Sequence, residues 1–115
     1  MNREQLQLTE QDGISVITIC GSLDLAIIPD LKSLIEPFIR DQHPRLLINI
    51  NDVSYIDSSG IGLLIFIAKI ADEVQAQVKF IIPAGFVFDV LHMVHFDKLF
   101  EVYRNEEKAL KAFGK

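Results

Sequence analysis

The chain has 115 residues, enough for one domain with one core and too few for two. Hydrophobic residues make up 50% and charged residues 23%, a balance that excludes disorder. The net charge of -5 excludes the general basic field that DNA or RNA phosphates attract, so no nucleic-acid partner is expected.

The N-terminus, Met1 to Gln5, is polar and leads into no apolar run, which predicts that there is no signal peptide. Leu6 to Thr9 reads as a short edge strand, and Asp12-Gly13 after it is a two-residue hairpin signal. The stretch Ile14 to Cys20, rich in β-branched residues, reads as the partner strand. Cys20 is the single cysteine, which rules out an intramolecular disulfide and fits a reducing compartment. Gly21 to Asp24 reads as a loop, after which Leu31, Leu34, Ile35, Phe38 and Ile39 recur at helical spacing and predict a helix from about Pro29 to Arg40.

Asp41 to Pro44 ends that helix. Leu46 to Ile50 is continuously apolar, as in a strand buried on both faces of a parallel sheet, and is expected at its centre. A second helix is predicted over about Ser58 to Gln75, with Ile61, Leu64, Ile65, Ala68 and Val74 inward and Lys69, Asp72 and Glu73 outward. Leu63, Phe66, Ile67 and Ile70 widen its apolar arc, a mark of deep burial or of a partner-facing surface. The longest apolar run, Gly60 to Ala68, is far too short to cross a bilayer, so no membrane insertion is expected and a cytoplasmic location fits. A strand at Val78 to Ile82, a third helix carrying Val87, Val90, Leu91 and Val94, and a strand at Phe100 to Tyr103 follow. Asn105 is a good N-cap for a last helix, Glu106 to Phe113, while the scattered tail lysines Lys108, Lys111 and Lys115 read as a solvated face. A hairpin followed by alternating helices and strands predicts an α/β fold: a single domain over 1–115, a mixed β-sheet, and helices mainly on one face.

The strand-to-helix junction Asp57-Ser58-Ser59-Gly60-Ile61-Gly62 is the most informative stretch. It places hydroxyls in the first turn of a helix, where unpaired N–H groups and the positive end of the macrodipole favour an oxygen anion. Asp, Ser and Gly are also the ordinary chemistry of any such turn, where they cap orphan donors. Enzyme motifs fail here. The third glycine of a dinucleotide fingerprint, the Gly-Lys-Ser/Thr ending of a phosphate-binding loop and the leading glycine of a nucleophile elbow are all missing. His43, His92 and His95 have no evident triad partner, and no cluster has metal-ligand spacing, so neither an enzyme nor a metal or cofactor site is expected.

With the order of elements, Gly-x-Leu-Asp at 21–24 and Asp57 to Gly62 resemble the STAS domain of bacterial anti-sigma factor antagonists. The likeness covers nearly the whole chain and continues through Leu91 to Tyr103. It implies a partner-switching regulator of transcription. The unmodified form would bind an anti-sigma factor that doubles as a serine kinase and so free the sigma factor. Phosphorylation of Ser58 would switch binding off, and a PP2C-type phosphatase would reverse it. The implied partner-binding residues are Asp24, Asp57, Ser58, Ser59, Gly60 and Ile61. Asp24 would shape the surface beside Ser58 or cap a turn, Asp57 would orient the loop or repel the phosphate, and Ser59 would cap. The sequence departs from the family's pattern in three places. Gln75-Ala76-Gln77 replaces a glycine pair, His95 replaces a glycine, and Phe86 and Phe88 add apolar surface. The family also contains constitutive scaffolds and accessory subunits of stressosomes and lipid-transport complexes, in which the serine would be only a cap.

Overall fold

A computed structural model describes residues 5–114; Met1 to Glu4 of the polar N-terminus and Lys115 of the basic tail lie outside the described residues. Five strands form one sheet in sequence order: β1 (Leu6–Gln11), β2 (Ile14–Leu23), β3 (Arg45–Ile56), β4 (Val78–Ile81) and β5 (Val102–Tyr103). β1 and β2 are antiparallel across the predicted Asp12-Gly13 turn, whose two residues both take positive φ, 53° and 78°, as a tight hairpin demands. The other three pairings are parallel, each bridged by helix: α1 (Ile28–Gln42), α2 (Ser58–Glu73), and α3 (Phe86–Met93) with α4 (Phe96–Leu99). α5 (Glu106–Ala112) closes the chain, capped as expected by Asn105, whose side chain accepts from the Lys108 N–H at 2.9 Å.

The sheet alternates side chains between two cores. Ile17, Ile19, Leu46, Ile48, Ile50 and Phe80 face α1 to α4 in the main core, while Ile14, Val16, Leu47 and Ile81 face Ala109 and Phe113 at α5. Helices therefore lie mainly on one face. β3 is central, and Leu46, Leu47, Ile48 and Ile50 are fully buried, as their unbroken apolar run predicts.

Several local expectations are corrected. Gly21 to Leu23 is not a loop: β3 runs on to Ile56, and the parallel partner carries β2 with it to Leu23↔Ile56 through two register shifts, with Gly21 at φ 84°. Asp41 and Gln42 belong to α1, which ends at His43 in the left-handed region. In α2 the inward side is Leu63, Leu64, Ile67, Ala68, Ile70 and Ala71, whereas Ile65 is exposed and Ile61 and Val74 are only half-buried. A helix apolar on nearly every side gives periodicity no phase to read. Val94 is exposed, and the short α4 occupies a stretch expected to lead straight into the last strand.

Candidate functional site

β2 and β3 run parallel and end side by side, so the segments that leave them meet at one edge of the sheet. The Asp57 N–H donates to the Leu23 carbonyl at 3.2 Å and fixes that meeting. Asp57 is the N-cap of α2, in extended backbone, and its Oδ1 accepts from the Gly60 N–H at 3.0 Å. Its Oδ2 accepts from the Leu25 N–H at 3.3 Å. One carboxylate thus caps the helix and ties the β2–α1 loop to it.

Gly60 lets the helix start so close to β2. A Cβ there would lie 2.5 Å from the Leu23 carbonyl oxygen and 2.7 Å from Ile56 Cγ1. Gly62, two residues on and facing away from β2, is exposed and has open space where its Cβ would be. Asp24 holds its own loop: its Oδ1 accepts from the Ala26 N–H at 3.1 Å and its carbonyl from the Ile27 N–H at 3.1 Å. The turn-capping alternative for Asp24 is therefore realised, while the cap of α2 falls to Asp57 rather than Ser59.

Ser58 is the first residue of α2 and is exposed. The first turn of this 16-residue helix holds no acidic side chain. The macrodipole's positive end and N–H groups with no helical carbonyl partner favour an anion at this point. Ser59 is half-buried and lines an open groove of about 410 Å³ with Leu25, Ile28, Pro29, Lys32, Gly62 and Leu63, between the first turns of α1 and α2. Lys32 brings a cation to this groove and lies 4.5 Å from the centre of the Phe66 ring.

Asp24, Asp57, Ser58, Ser59, Gly60 and Ile61 are thus brought to one edge in different capacities. Gly60 is buried and Ile61 half-buried against the core, which leaves Ser58 as the exposed member and Asp24, Asp57 and Ser59 as partly exposed ones. Gly62, the last residue of the motif, lines the groove beside them, and Leu25 and Lys32, which were not singled out from the sequence, join them in space. Only the β2–β3 register brings 25 and 32 beside 57 to 62. The histidines lie elsewhere. His43 ends α1, His95 precedes α4, and His92 pairs with Asp97 at 3.0 Å. Among the described residues no group of three or more His, Cys, Asp or Glu could hold a metal ion, and no helix is long and apolar enough to cross a membrane.

The STAS domain family model matches residues 5–109. The anti-sigma-B factor antagonist of Staphylococcus aureus is 29% identical over 68 residues, covering 59% of this chain. The match spans 63% of that relative's length. An anti-sigma factor antagonist from Mycobacterium paratuberculosis superposes with a TM-score of 0.82 at 24% identity, covering 93% of this chain and 91% of that one. The Bacillus cell fate determinant SpoIIAA in its phosphorylated form superposes with a TM-score of 0.70 at 22% identity, covering 94% and 98%. At those identities the two structures are evidence of shared fold.

Proposed function

The chain belongs to the STAS domain family, and from that premise we propose that it is an anti-sigma factor antagonist switched by phosphorylation at Ser58. In this reading the unmodified protein binds an anti-sigma factor that is also a serine kinase, and the sigma factor is released. Phosphorylation ends the contact, and a PP2C-type phosphatase restores it. The chain itself acts by binding and by accepting phosphate, not by catalysis.

The observation that carries the reading is the exposed Ser58 hydroxyl at the N-terminus of α2, beside a loop already anchored by Asp57. A phosphate adds a charge of about -1.5 to -2. The helix N-terminus stabilises that charge in the free protein, whereas a packed contact must desolvate it. The name of the S. aureus relative and the phosphorylated form of SpoIIAA support the same assignment. The partner face comprises Asp24, Asp57, Ser58 and Ser59, with Gly60 and Ile61 setting the backbone beneath.

Incubation with ATP and a purified anti-sigma factor kinase of the same organism, read by mass spectrometry, tests the acceptor. Phosphate is expected on Ser58 and absent from Ser58→Ala. Phosphate on Ser59, with Ser58→Ala still a full substrate, is the contrary result; no phosphate at all supports a constitutive scaffold.

A further inference from the structure

Beyond Ser58 the same edge of the sheet is apolar. Tyr55, three residues before Ser58, stacks on Phe86 with ring centres 5.8 Å apart and planes 10° apart. Each ring covers one face of the other, yet the pair stays 46% and 53% exposed. Phe86 opens α3 just after β4, and Leu25, 70% exposed, follows β2. Because β2 and β3 end side by side, Leu23 opposite Ile56, Leu25, Tyr55 and Ser58 lie at the same end of the sheet, and the ring contact brings Phe86 to it.

The charge around this end is acidic. Asp24, Asp30, Asp57 and Asp89 all lie in the segments leaving these strands or in the first turns of α1 and α3. The cations of this edge, Lys32 and Arg104, are drawn over the rings of Phe66 and Phe88, at 4.5 Å and 4.8 Å. An exposed stacked pair is already ordered, so a partner gains its area without the entropy cost of fixing it, which is how aromatic hot spots work.

We propose that Tyr55 and Phe86 form an aromatic anchor that seats the anti-sigma factor partner, whose matching face is an apolar socket rimmed by basic side chains. This rests on the function proposed above and names the chemistry of the partner's surface. The acidic rim steers the encounter, the ring pair fills the socket, and Ser58 lies where a phosphate would enter the same desolvated contact.

The test is the affinity of the purified kinase–anti-sigma factor of the same organism, without ATP, for five forms of the full chain: unsubstituted, Phe86→Ala, Tyr55→Ala with Phe86→Ala, Ser58→Asp, and Leu99→Ala. Leu99, 68% exposed, lines a groove with Ala76 and Val78 at the start of β4, the opposite end of the strands, and serves as the control. Circular dichroism and melting temperature confirm that each form folds, as truncation of exposed rings permits. The double variant should bind at least about tenfold more weakly, Phe86→Ala alone several-fold, and Leu99→Ala within about twofold. Raising the salt concentration should weaken binding of the unsubstituted chain. If the double variant binds like the unsubstituted chain while Ser58→Asp does not bind, the anchor is wrong and the switch stands. If the unsubstituted chain fails to bind, or Ser58→Asp binds equally well, the functional reading is wrong and the anchor falls with it.

Discussion

Asp57 caps α2 with one carboxylate oxygen and holds the Leu25 N–H with the other. Asp57→Ala should therefore lower stability by about 1 kcal/mol through the lost cap, and also speed amide exchange at Leu25, which a simple cap loss would leave unchanged. The two glycines of the motif differ. Gly60→Ala forces a Cβ onto the Leu23 backbone carbonyl, which cannot rotate away, and should cost about 1–3 kcal/mol in chemical denaturation. Gly62→Ala meets nothing and replaces a poor helix former, so it should gain about 0.5–1 kcal/mol. Equal losses at both positions would mean that α2 does not approach β2 as described. The capping chemistry and the place of Ser58 at a helix start were legible from residue types alone. The bond to Leu25 was not, because Leu25 and Asp57 are 32 residues apart in sequence and meet only where two strands end in register.

Element boundaries were legible wherever local chemistry sets them. Asp12-Gly13 and Asn105 each specify a turn or cap by themselves, and both are found where expected. The end of β2 is set by pairing with β3, and the inward side of α2 by what packs on it, so neither was readable locally. Two of the departures noted in the sequence carry a backbone cost. Gln75, after α2, and His95, before α4, both hold left-handed backbone, at φ 59° and 64°. A side chain there costs about 1–2 kcal/mol relative to glycine, less the extra freedom glycine has when unfolded. Gln75→Gly and His95→Gly should each stabilise the fold by about 0.5–1 kcal/mol. A fall in melting temperature for both would show that these side chains contribute more than their backbone costs.

At the scale of the molecule, the sheet holds a broad core under α1 to α4 and a smaller one under α5. The one-sided layering followed from the element order, but the second core did not, since the sequence reading of the last helix rested on its Asn105 cap and its solvated lysine face and not on Ala109 or Phe113. That smaller face also holds Lys79, nearly buried, beneath the Phe113 ring and 2.6 Å from Glu101. The hydrogen bond from Lys79 holds the Glu101 carboxyl below its usual 4.5. A carboxylate depressed in this way adds stability above its unfolded pKa and loses it as pH falls through the lower folded value. Because the Glu101 side chain is 61% exposed, solvent screens much of the effect. Glu101→Gln should thus slightly flatten the loss of stability below pH 4.5, and an unchanged acid limb would count against the pairing. The central claim is that Ser58 is the point at which charge breaks a protein–protein contact, and calorimetric binding to the anti-sigma factor kinase tests it most directly. Ser58→Ala should bind like the unsubstituted protein, because only the acceptor oxygen is lost, while Ser58→Asp and the phosphorylated protein should each bind at least about tenfold more weakly, a change of about 1.4 kcal/mol. Equal affinity for the unmodified and phosphorylated proteins would contradict the claim.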